Sequence, residues 1–451
     1  MGLKFFAMLA GLAIVGAGAA QAQQPAPKFH CGELTDNLLP KIEASFRAGT
    51  DFSPNNFACL AWQDLIYFMW PAMPNQRGVP SQPNQPAAFH NRGLTVWESY
   101  KTADATFLPN GQDPGPWDGP QLLTTLRSLP AQQVSQGTLR RLTMTSKVSR
   151  SVLANILRSG KSMPPDILDE IAQAFGGTLY DLNGNPVYYE VAMNDIQYNY
   201  IRQNGLYDAN KQIAFAQNNA IVLPPAPNTT TQGAVEVKAA WKVLTAAETL
   251  SGHFHTARAL LDGPLLPVTV GLVGFHVSIS NGAQGIWFTF AQVDNAPVQH
   301  PATSGTFNFF NPKCTVPGTS TPCPVNGKNA NPGQVVQLNP DNPKADQLNA
   351  YMHYMLKDYL PWPYYNLVDV QWANVPVPIA KLPAPQSAPL PDGQPNTPTM
   401  VNAVLETFLQ QPGSSCITCH QYATVASVGK QSPNYAASYS YAFGRASPGP
   451  K

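Results

Sequence analysis

Two cysteines three positions apart, with a histidine directly after the second, stand in Ser415-Cys416-Ile417-Thr418-Cys419-His420. C-x-x-C-H is the attachment pattern of a c-type haem. On one tight turn, two thiols can bond the two vinyl groups of a porphyrin, and the next imidazole falls beneath the iron. The pattern predicts Cys416 and Cys419 as covalent anchors of one haem c and His420 as proximal iron ligand. Three other readings compete. A thioredoxin-like redox pair belongs near a βαβ pattern, whereas this pair follows a predicted helix and a Pro412-Gly413-Ser414-Ser415 turn. Structural zinc needs two further ligands at close spacing, and no second such pair is present. The third is a chance match.

A ligand on the other side of the iron must come from upstream or from solvent, because neither Met nor His follows His420. Met400 lies at the far end of the predicted helix leading to the motif, about 15 Å away along its axis at the helical rise. His253, His255 and His300 fall in predicted loops or element ends. His253 and His255 are two apart, so on a strand they would share a face and could chelate a metal; otherwise they are ordinary polar side chains. His353 lies in a Met-bearing stripe, Tyr351-Met352-His353-Tyr354-Met355, that reads as core. His276 is the candidate distal ligand: it shares a strand face with Val268, Val270 and Leu272. The bland reading is a core histidine bonded to a backbone carbonyl. Trp62, Trp70, Trp97, Trp241, Trp287, Trp362 and Trp372 could line a haem pocket or relay electrons, but packing in a large core is the more usual role of such residues. There is no G-x-S-x-G and no H-E-x-x-H.

The elements that must position these residues follow from periodicity. Phe57, Leu60, Ala61, Leu65, Phe68 and Met69 form a helical stripe that stops at Pro71. A shorter one spans Leu38 to Phe46. Residues 149–175 read as two short helices broken at Pro164-Pro165. Leu179 to Val191 reads as a hairpin turning at Asn183-Gly184-Asn185, and Asn194 caps a helix that ends at Gly205. Val268–Ile279 and Ile286–Val293 flank Asn281–Gly285 as a long hairpin. Lys344–Tyr359 reads as a helix. Pro376–Pro395 is Pro-rich. Thr397 and Pro398 then open a helix with Val401, Val404, Leu405, Phe408 and Leu409 on one face. The fold class expected is α+β, with mixed helices and antiparallel strands, long Pro-rich loops and a C-terminal haem-attachment segment packed on the main body.

Of the 451 residues only 12% are charged, 45 are Pro and the net charge is +1. That balance carries no basic footprint for nucleic acid. Lys4, the apolar run Phe5–Val15 and Ala20-Gln21-Ala22 read as a secretory signal. The predicted organisation is a signal peptide over 1–22, an α+β body over 23–395 and the haem-attachment segment over 396–451. No later stretch is long enough to span a bilayer, so the mature chain is expected to be exported, and covalent haem implies a periplasm. Setting the motif aside leaves Cys31, Cys59, Cys314 and Cys323, an even number in an exported chain, which implies two disulfides. Three pairings are open; local closure favours Cys31–Cys59 and Cys314–Cys323.

Several stretches together resemble a group of exported bacterial proteins described as cytochrome c family proteins. They include Gly184–Glu190, Val237–Trp241, Val270–His276, Trp287–Asn295, Val370–Trp372 and Ser415–His420. The resemblance implies haem and export. It assigns no catalytic residue: where the group carries an acid, this chain has Ala291-Gln292. The expected function is single-electron transfer by a periplasmic monohaem protein with a redox partner protein. The alternative is a haem enzyme or a gas or redox sensor with an open iron site, since a carrier has little use for so large a body ahead of its motif. A third possibility is a binding module in which haem serves only as a staple.

Overall fold

The computed structural model of the chain describes residues 54–81, 89, 93–119, 140–142, 177–226, 232–261, 267–429 and 434–450. The predicted signal over 1–22, Cys31 and therefore the Cys31–Cys59 pairing, and the helices predicted at 38–46 and 149–175 lie outside these residues. Among those described, the helices are α1 (Pro54–Phe68), α2 (Ala103–Thr106), α3 (Asp195–Gln203), α4 (Ala209–Ala216), α5 (Ala246–Ser251), α6 (Pro343–Met355) and α7 (Cys416–His420). The strands are β1 (Lys101–Thr102), β2 (Arg140–Leu142), β3 (Tyr188–Met193), β4 (Val235–Val243), β5 (Thr256–Leu261), β6 (Val268–Ile279), β7 (Ile286–Gln292) and β8 (Tyr365–Trp372).

All eight strands join one sheet, so the fold is α+β as the sequence predicts. Its long member is β6. One side of β6 pairs with β4 along nearly its whole length. Its other side is shared: the first residues pair with β5 and the last with β7, which continues to β8. On the far side of β4 follow β3 and β1. Every pairing is antiparallel except β2 with β5. The predicted hairpin of β6 and β7 and the predicted helix α6 are present. Asn194 caps α3 as expected, its side chain accepting from Gln197 N–H, and Gly205 follows at φ 68°. The predicted hairpin over 179–191 is reduced to a small turn closed by a Tyr180–Pro186 bridge. Its second arm becomes β3, which finds its partners in β4 and β1.

One face of the sheet carries the main core. Val235, Val237, Phe275, Val277, Phe288 and Phe290 bury there beneath α1 and α6. Trp62 Nε1 donates to Asn349 Oδ1 at 3.0 Å, and Asn349 Nδ2 donates to Leu367 O at 2.9 Å, tying α1, α6 and β8 together. A charged group is sealed into the same face. Arg140 spans Glu190 in a fork of two 2.7 Å bonds and lies 3.3 Å from Glu98. His255 Nε2 stands 3.3 Å from the same Glu98. Trp97 and Trp241 face the guanidinium at 4.8 and 5.8 Å.

The opposite face is polar. Register places Lys238, His276, Thr289 and Asp369 in one cross-strand row and Glu236, Ser278, Trp287 and Gln371 in the next. Alternation of this kind ordinarily marks a face in water. Here the C-terminal segment covers it. Asn402 Nδ2 donates to Thr289 Oγ1 at 2.8 Å, Ser440 Oγ to Glu236 at 2.6 Å, Gln371 Nε2 to Thr397 O at 2.7 Å, and Ile417 N–H to Gln371 Oε1 at 2.8 Å. Gly274 on β6 admits this close approach: a Cβ there would stand 2.7 Å from a Val404 methyl.

The helix predicted from Thr397 to Leu409 is not formed; the segment is a run of turns. Asn402 accounts for the difference. Its Oδ1 accepts from Val404 N–H at 3.1 Å, and its Nδ2 reaches Phe290 O at 2.9 Å. Such local side-chain bonds offer the backbone an alternative to the helix. The apolar residues still bury, Val404 and Leu405 against Val187, Tyr189 and Val273. Beyond α7 the chain returns across it. Ala437 N–H bonds Ala423 O at 2.9 Å, Val425 N–H bonds Tyr435 O at 3.0 Å, and Ala388 N–H bonds Asn434 O at 3.0 Å. Far from these contacts, Cys314 and Cys323 form the predicted disulfide, closing a Pro- and Thr-rich loop.

Candidate functional site

Helix α7 is the motif itself. Ser415 caps it by accepting from Thr418 N–H, and Gly413, at φ 91°, turns the chain into it. Ile417 is fully buried and its N–H is held by β8, so the turn is pinned from below. Cys416 and Cys419 stand at i and i+3, which places them on one side of a helix. Neither is in a disulfide. Both line a cavity of about 930 Å³, part of it open to solvent, together with His420.

His420 is held by three neighbours. Its Nδ1 lies 2.6 Å from Tyr439 O, and its ring lies 4.5 Å from Trp287 and 4.9 Å from Tyr441, centre to centre. A proton on Nδ1 donated to that carbonyl leaves Nε2 as the nitrogen with a lone pair. This is the arrangement in which an imidazole binds a metal, its other nitrogen anchored to a carbonyl. Burial pushes the imidazole down to about 4, opposed by the Tyr439 carbonyl and assisted by the charge of Lys238. The ring is therefore neutral at physiological pH. Burial pushes the Cys416 thiol well above its usual value, and Glu406 adds to the rise. A redox-active dithiol needs the opposite shift.

The rest of the cavity divides in two. Val191, Met400, Val401 and Leu409 supply apolar wall, and Glu236, Lys238, His276, Glu406 and Arg445 supply polar and ionisable groups. His276 is thus brought into the same cavity as His420. Its partner is a side chain, not the backbone carbonyl of the bland reading: Nε2 lies 3.1 and 2.9 Å from the two Glu406 oxygens. Met400 also lines the cavity, and its N–H bonds Ser414 O at 2.9 Å. The 15 Å separation expected along a helix does not arise, because there is no helix to impose it. Of the seven tryptophans named above, Trp287 lines the cavity; the other six belong to the main core.

The remaining histidines go elsewhere. His253 Nδ1 bonds Asp294 at 3.1 Å, whereas His255 turns inward to Glu98, so the two do not converge on a metal. His353 Nε2 bonds Tyr365 O at 2.9 Å on the core side, and His300 is exposed. Among the described residues, no group of three or more His, Cys, Asp or Glu side chains could hold a metal ion. That does not count against haem, whose four ring nitrogens come with the cofactor. Two thiols on one helix side and an imidazole with its Nδ1 anchored, all three lining one cavity, fit a covalently held haem. The partners missed from sequence are Glu406, Lys238 and Tyr439. The signal for Lys238 and His276 was strand alternation, but nothing local said what would cover that face.

Among the described residues no helix is long and apolar enough to cross a membrane. No family model matches the chain, and no curated protein or solved structure matches it either.

Proposed function

We propose that the chain is an exported, periplasmic c-type haem protein that carries single electrons to and from a redox partner protein. The observation that carries the reading is the joint placement of Cys416, Cys419 and His420 on one cavity wall, with His420 Nδ1 bonded to Tyr439 O. Cys416 and Cys419 would hold the ring through thioethers, and His420 Nε2 would hold the iron. When bound, haem supplies a ferric–ferrous couple whose potential follows axial ligation and burial. Tyr439 fixes the tautomer of His420. Trp287 and Tyr441 pack against its ring, and the apolar wall would help to exclude water from the bound group.

The test is covalency. In a host able to attach c-type haem, the wild type stains for haem on a denaturing gel, and the variant carrying Cys416→Ser and Cys419→Ser does not. A wild type that fails to stain sinks the reading. Potentiometry then checks for a reversible couple within the range of respiratory partners. One observation favours the second reading, an enzyme or sensor with an open iron site: the cavity extends beyond the attachment helix to a charged wall on β4 and β6.

A further inference from the structure

The charged wall is built with more care than a solvent channel requires. Lys238 on β4 and His276 on β6 are cross-strand partners, so their side chains leave the sheet side by side. Glu406 meets His276 Nε2 with both carboxylate oxygens, at 3.1 and 2.9 Å. The carboxylate is itself positioned by Asn402 N–H at 3.1 Å, and Asn402 is moored to Thr289 and Phe290 on β7. The His276 ring is thereby fixed through the nitrogen farthest from its backbone. Binding iron through that atom would mean breaking the Glu406 contact. On the same wall Arg445 donates to Asp104 at 2.8 Å, and Glu236 accepts from Ser440 at 2.6 Å and Gln197 at 2.8 Å.

We propose that Lys238, His276 and Glu406 form the ligand-facing wall of the cavity and receive a small anion that binds the iron through one atom. The inference rests on the haem reading. Lys238 and His276 stabilise the anion's charge, and Glu406 holds His276 in place and out of the coordination sphere. The step is association only: the anion donates an electron pair to ferric iron, and nothing is oxidised or reduced. Burial pushes the carboxyl of Glu236, the other acid on this wall, above its usual range.

The experiment uses full-length, haem-loaded protein and two probes, cyanide for the ferric form and carbon monoxide for the ferrous form. The second is uncharged and serves as the control for access and packing. Lys238→Met and His276→Ala each weaken cyanide binding roughly ten- to hundredfold, the worth of one charge-assisted hydrogen bond. Both leave carbon monoxide affinity unchanged, and Glu406→Gln, which keeps the shape and removes the charge, weakens cyanide less than His276→Ala. Equal losses for the two probes, or no loss for either, overturn the proposal. So does a wild type that is low-spin and refuses cyanide, whether His276→Ala turns it high-spin, making His276 the axial ligand, or leaves it low-spin, turning attention to Met400. In all of these cases the haem reading stands. A chain that carries no covalent haem in that host removes the haem reading and this inference with it.

Discussion

His255 Nε2 lies 3.3 Å from Glu98 on one face of the sheet, and His276 Nε2 lies 2.9 Å from Glu406 on the other. The residue types are the same and the surroundings are not. Around Glu98, a second carboxylate, Glu190, and the guanidinium of Arg140 complete a four-membered cluster whose side chains are at most 10% exposed. Indole rings close it off: Trp97 and Trp241 on Arg140, and Trp362 stacked on His255. The four side chains pack on one another and on these rings. His276 and Glu406 are 15% and 21% exposed and stand on the wall of a cavity. A buried pair that is enclosed by further charges and rings serves the fold, whereas one that is anchored but left open on one side can serve a ligand.

The largest expected effect tests the closed cluster. Arg140→Met leaves Glu98 and Glu190 buried without their shared cation, and removing one member of such a group costs about 3–5 kcal/mol. The measurement is the denaturant midpoint. An unshifted midpoint would erase the distinction drawn between the two faces. The acid limb gives the same test a sign. Burial alone would raise the Glu98 carboxyl, but the charge and hydrogen bonding of His255, then Arg140 and Thr95 N–H, outweigh it and hold the group at about 2. Its folded value is depressed below the ordinary 4.5, so its contribution to stability is complete above about 4.5 and is lost as pH falls through about 2. Stability should therefore drop across that window in the wild type, and Glu98→Gln should flatten the drop.

The next effect is a control that touches neither pair. Replacing Cys314 and Cys323 with Ser removes a loop constraint worth about 2–3 kcal/mol. Proteolytic nicking should rise within residues 315–322, and cyanide binding at the cavity should stay as in the wild type. The smallest effect on stability is expected for Glu406→Gln. A partly exposed pair contributes within about 1 kcal/mol, so the denaturant midpoint moves little while cyanide affinity changes. If Glu406→Gln destabilised the chain as much as Arg140→Met, His276 and Glu406 would belong with the structural cluster after all.

What could be read in advance was what local chemistry decides. Asn194 capping α3, the β6–β7 hairpin around Asn281–Gly285, helix α6 and the Cys314–Cys323 staple all depend on residues a few positions apart. The helix expected over 397–409 was misread because Val401, Val404, Leu405 and Leu409 are spaced as a helix face would be. In the folded chain the same residues bury from a series of turns, since Asn402 bonds across to β7 instead of supporting a helix. The C-x-x-C-H motif was legible because its chemistry is contained in five residues. The wall opposite was not, because Lys238, His276 and Glu406 come from two strands and a turn up to 168 residues apart in the chain. Alternation marked the strand positions, and only the docked C-terminal segment turned a polar face into a lined cavity.

The return of residues 434–446 across α7 has a consequence for how the protein is made. With Ala437 bonded to Ala423, Asn434 to Ala388 and the Tyr441 hydroxyl to Cys419 O at 2.7 Å, the attachment helix is clasped between the sheet and the chain's last segment. On the haem reading, an attachment machinery that must present a porphyrin to both thiols needs that clasp undone. Loading then precedes closure, and the chain's last stretch becomes a latch set only after delivery.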